Sequence, residues 1–154
     1  MREILFKAKT EMIVGAYNCG KDDGEWVQGH LWHDTGKWMI RQFEYDRADY
    51  VSYEVNPDTI CQYTGLTDKN GSKIWENDIL QFEDVGEDDY NEGFDFVNRA
   101  RVEFSEARWS LTDFVCNNSS VMEEMYDHLE FMELWQYCEV VGNFFDNDGI
   151  LGGI

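Results

Sequence analysis

The chain has 154 residues and a formal net charge of −20, from 32 acidic and 12 basic side chains. This length suits one domain that buries its own hydrophobic core, so folding requires neither a disulfide nor a metal. The Lys and Arg residues are scattered, whereas neutralising phosphates requires them to be clustered. We therefore expect no direct binding of nucleic acid and no binding to anionic membranes, whereas basic partners are favoured.

The cysteine pattern indicates a reducing compartment. Cys19, Cys61, Cys116 and Cys138 lie far apart and form no Cys-x-x-Cys motif. The opening residues alternate between charged and apolar types, and neither a signal-peptide core nor a membrane span is apparent. These features predict a cytoplasmic protein whose thiols are reduced.

Short runs rich in β-branched and aromatic residues, separated by turn residues, predict strands through most of the chain. Asn70-Gly71 is a strong turn signal because both residues tolerate positive φ. The tryptophans of the early strands recur at alternate positions, which favours core packing over a ligand platform. The predicted strands cover residues 2–8, 12–17, 26–32, 37–45, 49–55, 79–82, 97–104, 108–116 and 138–145.

Three further segments have their own character. Residues 83–95 contain seven carboxylates and no basic residue, which predicts a mobile acidic loop. Ser119-Ser120 followed by apolar residues at three- and four-residue steps from Met122 to Trp135 predicts one amphipathic helix. The Gly-rich residues 146–154 predict a flexible tail.

The order of these segments predicts the fold class. Many strands followed by one helix and a closing strand favour a mostly-β domain, either barrel-like or a strongly curved antiparallel sheet, with one amphipathic helix near the C-terminus. We expect a single domain over residues 1–145.

No motif in the chain predicts a catalytic residue, a metal site or a cofactor site. His30 and His33 have a spacing that suits a helix, but on a strand they point to opposite faces. The segment that starts at Asp68 resembles an EF-hand loop, but it has Lys73 where Gly is needed and Ile79 where Glu is needed. Phosphate-binding loops and nucleophile elbows are also missing from the sequence.

The central segment resembles the signature block of the YopX-like phage proteins. The residues that carry this resemblance are Gln62-Tyr63-Thr64-Gly65-Leu66, Asp68-Lys69-Asn70-Gly71, Lys73-Ile74 and Asp78-Ile79. Residues 2–8, 12–13 and 139–145 resemble the opening and closing strands of that family. The resemblance implies a phage or prophage product with a mostly-β, barrel-like fold that self-associates and has no established activity.

One departure from the family pattern gives a specific prediction. The family usually has Glu-Gly-Asp-Ile where this chain has Glu76-Asn77-Asp78-Ile79. Asn is the residue that best replaces Gly at a left-handed backbone position. We therefore predict that Asn77 has positive φ and that the turn is preserved.

Three functions remain open on this basis. The first is a non-enzymatic accessory protein that acts through protein–protein contact and forms a homo-oligomer. The second is an acidic mimic that inhibits a host nucleic-acid-binding protein with a basic surface, through the patch Glu83, Asp84, Glu87, Asp88, Asp89, Glu92 and Asp95. The third is a small enzyme or ligand-binding protein with a groove at the 65–78 turns. The candidate interaction surface there comprises Gly65, Asp68, Asn70, Gly71, Trp75, Glu76 and Asp78.

Overall fold

The computed structural model describes residues 3–11, 21–127 and 135–152. The predicted strand at 12–17 lies outside these ranges, as do residues 128–134 of the predicted helix. The chain divides into two compact units, Met1–Tyr63 and Thr64–Ile154. A single domain over residues 1–145 stays a prediction.

Most of the first unit belongs to a six-stranded sheet with strand order β4-β3-β2-β1-β5-β6. The strands of this unit are β1 (Phe6–Lys9), β2 (Trp26–Asp34), β3 (Lys37–Glu44), β4 (Asp49–Glu54) and the start of β5 (Cys61–Thr67), with a 3-10 turn at Pro57–Thr59. Successive strand residues point to opposite faces, so apolar residues at every second position form one buried face. That face holds Ala8, Val27, Ile40, Tyr53 and Val55.

The second unit contains an antiparallel sheet with strand order β10-β7-β8-β9, and β6 pairs with β5 as the last strand of the six-stranded sheet. Its further elements are β6 (Lys73–Trp75), β7 (Asp78–Glu87), β8 (Gly93–Ser105), β9 (Arg108–Thr112), α1 (Ser120–Asp127), a 3-10 turn at Trp135–Tyr137, β10 (Glu139–Asn143), α2 (Phe144–Asn147) and α3 (Gly149–Gly152). The core combines one face of β7, β8 and β9 with Val121 of α1 and with Ile74 and Cys138.

The mostly-β prediction is confirmed, but the barrel is not. The described residues form two open antiparallel sheets, and neither closes on itself. One physical reason is that β4 and β9 are edge strands that no further strand of the described chain pairs with, so each sheet ends there.

One local prediction is wrong. Residues 83–95 are not a loop, because 83–87 end β7 and 93–95 begin β8 as a paired hairpin. The segment predicted as a flexible tail contains α2 and α3, and its flexibility stays a prediction. Asn143 begins α2 by accepting hydrogen bonds from the amides of Phe145 and Asp146, each at 3.0 Å. Among the described residues, no helix has the length and apolar character needed to cross a membrane.

Candidate functional site

The turn between β5 and β6 is built around the carboxylate of Asp68. Its Oδ1 accepts hydrogen bonds from the amides of Asn70 and Ser72, both at 2.9 Å. The amide of Asp68 donates to the carbonyl of Ser72, and the amide of Gly71 donates to the carbonyl of Asp68. Gly71 has φ +82°, a left-handed conformation that glycine adopts without strain. The turn predicted at Asn70-Gly71 is therefore confirmed.

Asp68 also fixes the closing strand. Its Oδ2 accepts a hydrogen bond of 2.9 Å from the amide of Val140 in β10, and the side chain is 3% exposed. The amide of Lys69 donates to the carbonyl of Cys138 at 3.1 Å. A buried ionised carboxylate is costly unless several donors satisfy it. The three backbone donors show that Asp68 stabilises the fold.

The turn between β6 and β7 confirms the prediction made for Asn77. Asn77 has φ +67°, the left-handed region in which Asn replaces Gly. Its amide donates to the carbonyl of Val102 and its carbonyl accepts from the amide of Phe144, both at 2.8 Å. The neighbouring Asp78 accepts a 2.8 Å hydrogen bond from the amide of Trp75. This turn therefore joins β8 and α2 to the start of β7.

The seven residues predicted as an interaction surface are not displayed together. Asp68, Trp75 and Asp78 are buried, and Glu76 is half-buried. The exposed members are Gly65, Asn70 and Gly71. The prediction of one solvent-facing surface is wrong for the buried members, since the backbone amides around Asp68 and Asp78 draw the carboxylates inward.

A second turn has the same hydrogen-bond pattern as the Asp68 turn. Asp88 Oδ1 accepts from the amides of Tyr90 (2.9 Å) and Glu92 (2.8 Å). The amide of Asp88 donates to the carbonyl of Glu92, and the amide of Asn91 donates to the carbonyl of Asp88. Asn91, with φ +60°, occupies the position that Gly71 holds in the first turn. This turn connects β7 to β8 and replaces the predicted loop.

We call residues 83–95 the acidic hairpin tip. One of its seven carboxylates, Asp84, is 3% exposed, whereas the other six are exposed. The strand pairing places Glu83 opposite Val97, Val85 opposite Asp95, and Glu87 opposite Gly93 on the outer face of the hairpin. Those carboxylates flank two exposed apolar side chains, Val85 at 40% and Val97 at 61%.

Asp84 belongs to a buried polar network that sequence reasoning missed. It accepts hydrogen bonds from the Asn98 amide group at 2.9 Å, the Val121 backbone amide at 3.2 Å and the Ser119 hydroxyl. The same Ser119 oxygen accepts from the amide of Met122 at 3.0 Å, which makes it the N-cap of α1. The network therefore attaches the start of α1 to the hairpin, and the helix start predicted at Ser119-Ser120 is confirmed.

Asn118 joins the hairpin to α1 by a second route. Its Oδ1 accepts from the amide of Glu87 at 3.0 Å, and its Nδ2 donates to the carbonyl of Glu87 at 2.8 Å. Both backbone groups of Glu87 are thereby satisfied outside the sheet. These two hydrogen bonds attach the end of β7 to the segment before α1.

The described thiols differ in their surroundings. Burial raises the pKa of the Cys138 thiol to about 12, and the nearby Asp68 carboxylate contributes in the same direction. Cys61 is also buried, whereas Cys116 is half-buried. A thiol with so high a pKa is a poor nucleophile and a poor metal ligand at neutral pH, so Cys138 serves the core.

The histidine pair does not form a metal site. His30 lies opposite Arg41 and His33 lies opposite Trp38, on opposite faces of β2. The His33 ring packs on Trp38 with a centroid distance of 4.7 Å. Among the described residues, no group of three or more His, Cys, Asp or Glu side chains is placed to hold a metal ion.

Grooves lined by described residues of the second unit include two of similar volume. One, of about 590 Å³, runs along β9 and the segment before α1 and includes Glu103, Arg108 and Asp113. The other, of about 540 Å³, lies on the outer side of β7, β8 and β10 and includes Glu83, Val97 and Glu139. Of the residues in the 65–78 segment, only Lys69 lines either of these two grooves.

Comparison with known proteins identifies the family. No curated protein matches the chain. The family model described as "YopX protein" matches residues 21–152, which include both turns built on an aspartate, the Asn77 turn and the acidic hairpin tip. Because this match covers most of the 154 residues, the chain belongs to the YopX protein family.

Proposed function

We propose that this chain is a phage or prophage accessory protein that acts in the bacterial cytoplasm by binding other proteins. The observation that carries this proposal is that some of its acidic residues are buried and others are exposed together on one hairpin. Asp68, Asp78 and Asp84 are buried and bound by backbone amides, whereas six carboxylates project from one braced hairpin. The buried carboxylates of the turns accept hydrogen bonds within the protein and are not exposed to a substrate. The exposed carboxylates of the projecting hairpin suit recognition of a basic surface.

The specific partner we favour is the basic surface of a host protein that binds DNA or RNA. Six exposed carboxylates on one hydrogen-bonded hairpin present closely spaced negative charges to such a surface. This resembles the charge that a nucleic-acid backbone presents to such a protein. The acidic-mimic function therefore has a defined element, the acidic hairpin tip.

The test is a change of six charges with the fold kept. Amides replace the exposed carboxylates of the tip, while Asp84 is retained because it holds α1. Asp88→Asn preserves the oxygen that accepts the turn hydrogen bonds. The full set is Glu83→Gln, Glu87→Gln, Asp88→Asn, Asp89→Asn, Glu92→Gln and Asp95→Asn.

A matched control changes six exposed carboxylates elsewhere, so that both variants have the same net charge. Host proteins captured from a bacterial lysate at low salt and released at about 0.5 M salt should be lost with the tip variant and retained with the control. Equal capture by both variants would show that overall charge, and not the hairpin, is responsible. The control set is Glu3→Gln, Asp34→Asn, Asp46→Asn, Asp58→Asn, Glu106→Gln and Asp148→Asn.

We also propose that the chain forms a homo-oligomer through the outer face of the same hairpin. Val85 and Val97 are diagonal neighbours on this face, and they are 40% and 61% exposed. Contiguous exposed apolar side chains mark protein contacts. Val97→Ser should lower the mass measured by light scattering. The control is Phe104→Ser, which removes another exposed apolar side chain of β8 and should leave the mass unchanged. An identical mass for both variants would argue against this interface.

A small enzyme at the 65–78 turns is less well supported. The two aspartates of the candidate interaction surface, Asp68 and Asp78, each accept hydrogen bonds from backbone amides inside the protein. A general acid or base must reach the proton that it transfers, and these groups are 3% and 2% exposed. Robust turnover that is abolished by Asp78→Asn in a folded variant would restore this alternative.

A further inference from the structure

The first unit has a sheet face whose charge is opposite to that of the acidic hairpin tip. Successive residues of a strand alternate between faces, and residues paired across antiparallel strands share a face. The pairings Lys9 with Trp26, His30 with Arg41, and Phe43 with Tyr50 therefore place these side chains away from the buried core. We call this surface the basic–aromatic face: Lys7, Lys9, Trp26, His30, Trp32, Lys37, Arg41, Phe43 and Tyr50.

Charge is unequally divided between the two units. Residues 1–63 contain 7 basic and 11 acidic side chains, a net charge of −4, whereas residues 64–154 contain 5 basic and 21 acidic side chains, a net charge of −16. On the described strands β1–β4, only Asp34 and Glu54 place carboxylates on the basic–aromatic face. Glu54 is 6% exposed and lies 3.9 Å from the Lys37 ammonium, so the exposed charge of this face is mainly positive.

Cations and rings alternate across this face. The ammonium groups of Lys7 and Lys9 lie 4.6 and 5.5 Å from the centre of the Trp26 ring. The Arg41 guanidinium lies 4.9 Å from the centre of the Tyr50 ring. Cation–π contacts of this kind hold flexible basic side chains in place, which lowers the entropy cost when they bind an anion.

Large aromatic surfaces remain open to solvent beside these cations. Trp32 is 39% exposed, Phe43 is 36% exposed and Tyr50 is 49% exposed. Met39, Arg41 and Phe43 are successive residues of β3 on this face, and each forms a row with the residue paired to it. Because Trp32 pairs with Met39, the rows of Trp32 and Phe43 lie on either side of the row of Arg41. Rows two residues apart are separated by about 6.6 Å, which leaves room for a planar group on each ring with an anion between them.

We propose that the basic–aromatic face binds single-stranded nucleic acid. Lys7, Lys9 and Arg41 would contact phosphates, while bases stack on Trp32 and on the Phe43–Tyr50 pair. Sheet faces that combine aromatic and basic residues recognise unpaired bases, because every base has a face that can stack on a ring. A duplex hides those faces within its own stack, and a broad sheet face does not enter its grooves.

This proposal reverses the expectation drawn from the net charge of the whole chain. Charges farther apart than the screening length of about 8 Å at physiological salt contribute little to one another. Binding then depends on the local charge of the face and not on the net charge of the chain alone. With at most four cations on the face, the slope of log K against log salt should be no steeper than about −3.

The direct test uses the full chain and labelled oligonucleotides of about 12 nucleotides, within the usual site size of such surfaces. Mixed-sequence single-stranded DNA, single-stranded RNA and a DNA duplex are titrated at low salt. We expect a single strand to bind at least about fivefold more tightly than the duplex. Trp32→Ala and Phe43→Ala should each weaken single-strand binding at least about fivefold, the loss expected for one stacked base.

Charge and ring contributions are separated by matched variants. Arg41→Gln should reduce the salt slope by about 0.7, the value for one phosphate contact on a single strand. Tyr90→Ala and Arg108→Gln remove an exposed ring and a cation from the second unit and should leave binding unchanged. Thermal unfolding of each variant establishes that the sheet is intact.

Three results would overturn the proposal. One is the absence of single-strand binding at low salt. Another is equal binding of strand and duplex. The third combines two observations. Poly-glutamate with the same total charge displaces the oligonucleotide, and Trp32→Ala and Phe43→Ala bind the oligonucleotide as tightly as the unchanged protein. That last result would show that the face attracts any polyanion and does not read bases.

Discussion

At the scale of single residues, the acidic side chains of this chain have two distinct uses. Asp68, Asp78 and Asp84 accept backbone hydrogen bonds within the protein, which offsets the cost of burying a carboxylate. The exposed carboxylates of the acidic hairpin tip have solvent on most sides. Residue type alone does not separate the two groups, since buried Asp84 and exposed Asp88 are both aspartates, four residues apart.

The Asp68 and Asp88 turns offer a matched measurement of burial. Asp68→Ala removes a buried carboxylate that accepts hydrogen bonds from three backbone amides, whereas Asp88→Ala removes an exposed carboxylate that accepts from two. We expect a loss of about 3 kcal/mol in the free energy of unfolding for Asp68→Ala and about 1 kcal/mol for Asp88→Ala. Urea denaturation of both variants measures the difference. Equal losses would show that the Val140 hydrogen bond adds nothing to the closing strand.

A pH-dependent contribution is expected at Glu44. The Tyr53 hydroxyl donates a 2.5 Å hydrogen bond to its carboxylate and Gln42 donates another, and together they lower the pKa of Glu44 below its ordinary value of 4.5. A lowered folded pKa means that folding favours the ionised form. Its contribution is complete above the ordinary value and is lost as the pH falls through the lowered one.

Tyr53→Phe removes the largest cause of that shift. The pKa of Glu44 should rise towards its ordinary value in an NMR titration of its side-chain carboxyl. The loss of stability, about 1 kcal/mol or less at this solvated site, should be smaller at about pH 3 than at neutral pH. Tyr50→Phe, on the opposite face of β4, is the control and should leave the Glu44 titration unchanged. An unshifted Glu44 in Tyr53→Phe would contradict the assignment.

At the scale of elements, two turns of the same type connect the strands that flank them. The segments Asp68–Ser72 and Asp88–Glu92 both have an aspartate, then a residue with positive φ three positions later. In the first segment, Asn70-Gly71 predicts the turn. In the second segment, the seven carboxylates of residues 83–95 predict a loop, although Asn91 occupies the position of Gly71. The pattern Asp-x-x-Gly/Asn was therefore the signal that could have located the hairpin.

The turn between β6 and β7 allows a direct test of its backbone conformation. Asn77→Gly should preserve or slightly raise stability, by up to about 1 kcal/mol, because Gly adopts φ +67° without strain. Asn77→Ala should instead lower stability by about 1–2 kcal/mol, since Ala disfavours this region. Thermal unfolding of the two variants measures both effects. A stable Ala variant would mean that the turn rearranges around Val102 and Phe144.

The helix of the second unit shows how local and tertiary signals combine. The sequence predicts a cap at Ser119-Ser120, and in the structure it is Ser119 that accepts a hydrogen bond from the Met122 amide. The carboxylate that receives the Ser119 hydroxyl, Asp84, lies 35 residues earlier in the sequence. No local pattern links two residues at that separation, so the network required the folded hairpin.

At the scale of the whole molecule, the net charge of −20 conceals a division into a mildly acidic first unit and a strongly acidic second unit. A net charge far from zero supports solubility and repels polyanions on average. An average, however, says little about a face on which Lys7, Lys9 and Arg41 lie beside aromatic rings. The two proposed surfaces, the acidic hairpin tip and the basic–aromatic face, lie on different units and are tested by independent variants.

The sequence by itself determined the mostly-β class, the turns at Asn70-Gly71 and Asn77, the start of α1 and the family. These follow from local properties, because positive φ, alternation and capping depend on residues close in the chain. Only the tertiary structure decided which acidic residues are buried, that residues 83–95 form a hairpin, and that Trp32 is exposed instead of in the core. Burial and strand pairing depend on contacts between residues that are far apart in the sequence. Local sequence patterns do not predict such long-range contacts.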